Sequence, residues 1–510
     1  MSPSFNRRDF LKLAALTSFN LFAPPLANSA HQLSQSQVGK QNVLVIVFDA
    51  FSAYHLSIHG YARETAPNLT RMAEKAVVYH NHFAAGSFTV PGTASLLTGV
   101  LPWKHRAFRF EDGVVDEYVD KSIFHAFDSY YRIAYSHNPH VVRFLDQFSS
   151  DLTRFVPYEQ LLLTGSGLFQ SLFKNDDDAA NVAWQRIMVK DRGLSYSLFL
   201  SALYKQYNDN KIKSYKKFFP IGVPTIKGDD HYLMEDAVDW LNDEILQIPQ
   251  PFLGYFHFMP PHDPYTPSRD FYRYFENDGL RIVEKPNDIF APVRPFELMI
   301  TKRREYDEFI LYLDREFGRL FDQLEASGLL ENTWLVFTSD HGEMFERGIQ
   351  GHITPSFYQP LVRVPLLILP PGNTTRTDIH DHTSAVDLLP TLLHITGQKA
   401  VDWTEGEILP PFAPSAPEPE RNVYAFQSYH SEQNVTLTQA TGMLVKGKYK
   451  LVYYSGYREE LGGDGKMIQL FDIEADPEEL NDLSDTETEV VEKLLAELKA
   501  KYVEINEPEL

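Results

Sequence analysis

The chain predicts an α/β fold: a mostly parallel sheet covered by helices on both faces, followed by a small C-terminal subdomain of strands and one helix. Three observations predict it. Short apolar runs such as Val43–Phe48, Phe252–Phe258 and Trp334–Thr338 alternate with longer amphipathic segments, the pattern of strands joined by helical crossovers. Two of these runs stop abruptly in polar residues, one at Asp49 and the other at Ser339-Asp340-His341-Gly342-Glu343. In an open α/β sheet the ligand crevice lies beyond the carboxyl ends of the strands, so such ends read as site rather than core. After residue 421 the alternation ceases, and strand-like pieces follow one another before a last helix.

The elements justify themselves in chain order. Asn6-Arg7-Arg8-Asp9-Phe10-Leu11-Lys12, then the mildly apolar stretch from Leu13 to Ala23, resembles a twin-arginine export signal. Residues 1–30 are read as that signal, with cleavage near Ala27 to Ala30, and residues 31–41 as a polar linker. This predicts a periplasmic or secreted protein whose partner in transit is the twin-arginine export machinery. The apolar stretch is too short for a stable membrane span. The absence of cysteine fits export, where free thiols oxidise. A formal charge of −22 excludes a general nucleic-acid binder, because phosphate backbones are held by a surplus of Lys and Arg.

Within residues 42–405 the expected strands are Val43–Phe48, Arg132–Ser136, Phe252–Phe258, Trp334–Thr338 and Pro365–Leu369. The expected helices are Pro67–Lys75, Thr93–Leu97, Tyr232–Ile245, Glu305–Ser327 and Ala385–Ile395. In the fourth of these, the spacing of Phe309, Leu313, Phe317 and Leu320 lays one apolar face on a sheet. Residues 141–229, rich in Phe, Tyr, Leu and Lys and carrying the acidic run Asn175-Asp176-Asp177-Asp178, are read as a variable insertion. It serves either as packing and solvated surface or as a lid that selects substrate. Pro410, Pro411, Pro414, Pro417 and Pro419 stiffen a connector over residues 406–421. The subdomain at 422–510 then offers strands at Asn422–Ser428, Ala440–Val445 and Lys448–Tyr454, and a helix from Glu487 to Tyr502.

Asp49 and the pair Asp340-His341 lie far apart in sequence, yet as strand ends they can converge on one cation. Between them, Ser87-Phe88-Thr89-Val90-Pro91-Gly92-Thr93 sets small hydroxylated residues before a helical run whose N-terminus would turn free N–H groups toward an anion. These segments run in order with Thr65-Ala66-Pro67-Asn68-Leu69, Phe256-His257-Phe258-Met259-Pro260-Pro261-His262-Asp263-Pro264-Tyr265, Arg363-Val364-Pro365-Leu366, and Leu470-Phe471-Asp472-Ile473 with Asp476-Pro477-Glu478-Glu479-Leu480-Asn481. Taken together they resemble the sulfatase family of the alkaline phosphatase superfamily, nearly end to end.

That resemblance implies an alkaline-phosphatase-like sheet, a small antiparallel α+β subdomain at 422–510, and a hydrolase of sulfuric or phosphoric esters with an anionic ester as substrate. It places Asp49, Thr89, Asp340 and His341 at the metal positions, with Thr89 also the nucleophile. It places His262 where the family contacts the substrate anion, Asn138 and His140 where it has a lysine and a histidine, and His352 near its second active-site lysine. Thr89, His262, His140 and His352 are thereby expected to be catalytic, and Asn138 to bind substrate. His257, five residues before His262, is expected only to pack. Two carboxylates and one imidazole suit a divalent metal ion and tilt the choice toward Zn²⁺ or Mn²⁺ over Ca²⁺ or Mg²⁺.

Two departures from the family bear on mechanism. Formylglycine sulfatases carry cysteine or serine at the nucleophile, proline two residues on and arginine four residues on, whereas this chain has Thr89, Pro91 and Thr93. Threonine oxidised in that way would give a ketone, not the aldehyde, so direct attack by the hydroxyl is expected instead. Ala50 stands where the family has a further metal-binding aspartate, and His341 where many members have asparagine. The resulting Asp, Thr, Asp, His set looks like that of the superfamily's phosphodiesterases and phosphoryl transferases. A phosphate ester is therefore the expected substrate. Phosphoryl transfer to an envelope lipid or glycan is one alternative, and a non-catalytic binding protein on the same scaffold is another. Oligomeric state is not legible.

Replacing the guanidinium pair, Arg7→Lys with Arg8→Lys, is expected to retain the protein in the cytoplasm, because the paired arginines distinguish this export route. Cell fractionation checks it, and unchanged secretion would point to the general secretory route.

Overall fold

The strands form where the apolar runs predict them, and six more join. A computed structural model of the chain describes residues 40–163, 195–228, 230–414, 420–508 and 510. The expected export signal, nearly all of the linker, the acidic run at 175–178 and residues 415–419 of the connector lie outside the described residues. In chain order the strands are β1 (Asn42–Phe48), β2 (Val77–Phe83), β3 (Tyr131–Ser136), β4 (Arg154–Phe155), β5 (Phe252–Phe258) and β6 (Thr333–Thr338). They continue with β7 (Met344–Glu346), β8 (Ile349–Gly351), β9 (Leu366–Leu369), β10 (Thr377–Ser384), β11 (Val423–Gln427), β12 (Ala440–Lys446), β13 (Tyr449–Ser455) and β14 (Met467–Asp472).

Eight of these build the central sheet in the order β10-β2-β9-β6-β1-β5-β3-β4. All its pairings are parallel except those of β9, which runs antiparallel to both β2 and β6. β1 is the axis, parallel to β5 on one side and β6 on the other and buried over its whole length. Its alternate residues serve opposite faces. Leu44, Ile46 and Phe48 pack with Phe309, Leu313 and Phe317 of the helix Phe296–Ala326. Val43, Val45 and Val47 pack with Leu96 and Leu97 of the helix Thr89–Thr98, Phe144 of the helix Pro139–Gln147 and Leu389 of the helix Leu388–Ile395. The register sets Val47 opposite His257 and Thr338, so three parallel strands end at one level. That level is where the site is built.

Beyond the central sheet, β7 and β8 pair as a hairpin, and β11 to β14 form a four-stranded antiparallel sheet. The helix Thr488–Glu504 packs on the latter through Leu494, Leu498 and Tyr502. Among the described residues no helix is long and apolar enough to cross a membrane.

Several expectations are corrected. β2 and β10 escape the sequence pattern because they carry His80, Asn81, His82, His380, Asp381 and His382, and β10 is an edge strand with solvated residues and a register shift between Ile379 and His382. The helix expected at Thr93–Leu97 begins four residues earlier, at Thr89. Pro91 falls in its first turn, where a backbone N–H needs no intrahelical partner, and the Gly92 amide closes that turn on Phe88 O at 3.2 Å. The helix expected from Glu305 begins at Phe296. The boundary expected at residue 141 cuts through the core, since Val141, Phe144 and Leu145 are buried there and β4 pairs with β3.

The helix Pro67–Ala73 has no side-chain cap of its own, and Asp314 of the helix Phe296–Ala326 supplies one from across the interface. Its carboxylate accepts from Asn68 N at 2.8 Å, Asn68 Nδ2 at 2.9 Å and Leu69 N at 2.9 Å. The two helices approach so closely that a Cβ on Gly318 would lie 2.5 Å from the Asn68 side chain. Asp314→Ala is expected to cost about 2 kcal/mol by leaving buried amides unpaired. A melting curve checks this, and a variant as stable as the parent would remove the cap from the account.

Candidate active site

Two carboxylates are carried to one point by the strand ends. Asp49 follows β1 and Asp340 follows β6, both wholly buried, and with His341 they form a group whose ligand atoms all lie within 4.8 Å of one another. His341 Nε2 is 3.3 Å from Asp49 Oδ1, 3.7 Å from Asp340 Oδ2 and 3.3 Å from Thr89 Oγ1. Thr89 reaches this point because it is the first residue of its helix. Gly92, one turn on, allows the helix to close on the second carboxylate's strand end, since a Cβ there would lie 2.2 Å from the Asp340 carbonyl oxygen.

The surroundings are arranged to hold the two carboxylates rather than to neutralise them. Asp49 Oδ2 accepts from Asn138 Nδ2 at 2.6 Å and from His257 Nε2 at 3.2 Å. Asp49 Oδ1 has no hydrogen-bond partner, although it lies near His341, because the geometry there is unsuitable. Asp340 Oδ1 accepts from the amides of His341 at 3.0 Å and Ala50 at 3.3 Å, and Oδ2 accepts from Thr93 Oγ1 at 3.1 Å. The two side chains that depart from the family therefore stand in the site. Thr93 binds Asp340, and Ala50 serves through its backbone, held at φ 60° in the left-handed region that a non-glycine residue rarely enters. Tyr306 secures that turn, donating to Ala50 O at 2.6 Å and accepting from Ser52 N at 3.0 Å.

These residues fit a divalent cation. His341 Nδ1 lies 2.8 Å from Gly342 O, and a proton on Nδ1 donated to that carbonyl leaves the Nε2 lone pair facing both carboxylates. A lone pair, an orphaned carboxylate oxygen and a second carboxylate around one point repel each other unless a positive charge joins them. The same demand appears in the titration behaviour. Burial raises Asp340, and the neighbouring Asp49 charge raises it further. Burial opposes a charged His341, yet Asp340 and Asp49 lift it to about 8.

The expected catalytic histidines surround a cavity of about 430 Å³ whose floor includes Thr89 and Asn138. His262 and His352 pack ring to ring at 4.7 Å, and His352 stands 4.4 Å from the His341 ring. Each has a carboxylate behind it. His262 Nδ1 is 3.1 Å from Asp263 Oδ1, and His352 Nδ1 is 3.0 Å from Glu343 Oε1. The two are set apart electrostatically. Burial disfavours the cation at His262, but the Asp263 bond and the Asp49 charge lift it to about 10. Burial, with the His341 and His262 charges, holds His352 well below the ordinary imidazole value. His140 also lines the cavity, with Nδ1 at 2.9 Å from Phe110 O. Asn138 is more than a wall residue, since its Oδ1 caps the helix Pro139–Gln147 while Nδ2 binds Asp49 and lies 3.4 Å from Thr89 Oγ1.

His257, expected only to pack, is a member of the site. Its Nε2 touches Asp49, and its Nδ1 lies 3.0 Å from Tyr255 OH, which fixes the ring. A signal for it was present in the sequence, because it is the penultimate residue of an otherwise apolar parallel strand. Tyr306 carried no such signal, since it lies inside a long helix.

The sulfatase family model matches residues 41–398, and the model of the N-sulphoglucosamine sulphohydrolase C-terminal region matches residues 355–507. The chain is 26% identical over 480 residues to a choline-sulfatase of Rhizobium meliloti, covering 88% of this chain and 83% of the relative. It is 24% identical over 480 residues to an arylsulfatase of Clostridium perfringens, covering 88% and 91%. Among solved structures, a phosphonate monoester hydrolase from Silicibacter pomeroyi superposes with a TM-score of 0.62 at 19% identity, over 91% of this chain and 96% of that one. At that identity the likeness establishes the fold.

Asp340→Asn and His341→Ala are each expected to strip the metal and abolish turnover while leaving the fold intact. Elemental analysis of the purified variants checks this, and full metal occupancy in both would remove these residues from the ligand set.

Proposed function

We propose, on the premise that this chain belongs to the sulfatase family and is an ester hydrolase, that it is an exported, metal-dependent enzyme acting on a phosphate or phosphonate ester in preference to a sulfate ester, through a covalent intermediate on Thr89. The observation that carries the reading is the placement of Thr89 Oγ1 beside His341 and Asn138 at the floor of the cavity. The names of the relatives span both chemistries, a choline-sulfatase on one side and a phosphonate monoester hydrolase on the other. Thr89 favours phosphorus, because its hydroxyl cannot become the formylglycine aldehyde whose hydrate releases sulfate. Export is supported by the Arg7-Arg8 pair and the apolar stretch behind it.

A divalent cation bound by Asp49, Asp340, His341 and Thr89 Oγ1 would supply a Lewis acid that depresses the hydroxyl pKa and offsets the charge of the ester. Thr89 Oγ1, its proton given up to solvent before attack, bonds to phosphorus, and the bond to the leaving oxygen breaks as the bond to threonine forms. The second N–H of Asn138 donates to an oxygen of the transferring group. His262, held protonated by Asp263, donates to the developing charge and gives the leaving alcohol its proton. His352, kept neutral by burial and its imidazole neighbours and oriented by Glu343, takes the proton of the water that clears the Thr89 ester. His140 contacts the group carried by the ester. The non-catalytic alternative is disfavoured by this convergence, which a binding scaffold would not need.

Phosphomonoester or phosphodiester probes are expected to turn over faster than the matching sulfate ester, with phosphate trapped on Thr89 by rapid quench. Thr89→Ala should lose activity by orders of magnitude, while Thr89→Ser should keep a measurable part. Undiminished hydrolysis by Thr89→Ala would sink the covalent route, and a strong preference for sulfate would sink the choice of phosphorus.

A further inference from the structure

Above its polar floor the cavity changes character. Phe110 forms one wall, its ring 5.0 Å from that of His140 and braced from behind by Phe88 and Tyr429, each at 5.6 Å. Ile226, on the hairpin closed by the Thr225–His231 bridge, lines the cavity as well. Met259 comes from the end of β5, and Ile353, beyond β8, is 51% exposed at the cavity's edge. A single exposed isoleucine is ordinary. Four apolar side chains delivered by four separate segments to one cavity, directly above the reactive group, are not scattered surface. Polar groups are sparse on this wall. Asp263 is committed to His262, which leaves Gln350, the exposed Lys227 and the buried, unpartnered hydroxyl of Tyr265 beyond the floor and histidine groups already described. A polyol in this space would give up its water to hydrocarbon with few partners to replace it.

We infer that the group carried by the ester is an apolar chain or ring, seated between Phe110, Ile226, Met259 and Ile353, rather than a sugar. This rests on the hydrolase reading for the floor and adds the substrate class to it. The hairpin carrying Ile226 is then a specificity element, since it lines the upper wall and contributes nothing to the floor. Phosphate or phosphonate at the floor fixes one end, and burial of hydrocarbon supplies the discrimination along the wall.

Equilibrium binding of ethyl-, butyl- and hexylphosphonate to the manganese-loaded full chain tests this without relying on turnover. Affinity is expected to rise about fourfold for each added methylene. Ile353→Asn, at a half-exposed position outside the core, and Ile226→Asn with Ile353→Asn should reduce that factor below about one and a half, with unchanged melting temperatures showing that the fold is intact. Glucose 6-phosphate should bind no more tightly than ethylphosphonate. A flat dependence on chain length in the parent, a slope that survives the double substitution, or tighter binding of glucose 6-phosphate than of hexylphosphonate would each overturn the inference. Chain-length-dependent binding without hydrolysis of any ester would sink the hydrolase reading and leave this one standing.

Discussion

Two buried carboxylates that face one another, Asp49 and Asp340, set the terms for the rest of the molecule. Both are fully excluded from solvent, and no arginine or lysine pairs with either among the described residues. Buried like charges are costly unless a partner of opposite sign joins them. The neighbours present do not discharge the pair. Asn138, Thr93 and the amides of Ala50 and His341 aim single oxygens, and leave Asp49 Oδ1 with no partner. Such a pair suits a cation.

The support for that pair extends well beyond the atoms that would touch a metal. Ser339 accepts from Phe51 N at 2.9 Å and lies 2.6 Å from Phe48 O, which ties the end of β6 to the end of β1. Tyr306 pins the turn after β1 from a helix on the far face, and Ala50 keeps its unusual backbone there. Strain of this kind persists only where the surroundings over-determine it, and it concentrates at functional sites. The loss of the family's second aspartate at position 50 thus removes a side-chain ligand while keeping the backbone donor that steadies Asp340.

Around the same centre the histidines divide by environment. His257 and His341 serve the carboxylates, whereas His262 and His352 face the cavity with an acidic residue behind each. Asp263 lies close enough to His262 to hold its proton, while burial, and then the neighbouring His341 and His262, keep His352 neutral. Unequal protonation of neighbouring groups is what acid and base roles require.

The sequence by itself determined the central layer and the ends that matter. β1, β5 and β6 are buried on both faces, so their runs are continuously apolar, and a polar residue where such a run stops stands out, as Asp49, Asp340 and His341 do. The ordered motifs carried Thr89, Asn138, His140, His262 and His352 to the same cavity. What it did not show were β2 and β10, whose polar residues, the buried and mutually bonded His82 and Thr383 among them, interrupt any apolar run, and the start of the Thr89 helix, hidden by Pro91 and Gly92. Only the tertiary structure decided that His257 holds Asp49, that Thr93 and the Ala50 amide bind Asp340, and that Tyr306 locks the turn between them. Those roles depend on register and on contacts between residues as much as 290 positions apart, and no local pattern records such distances.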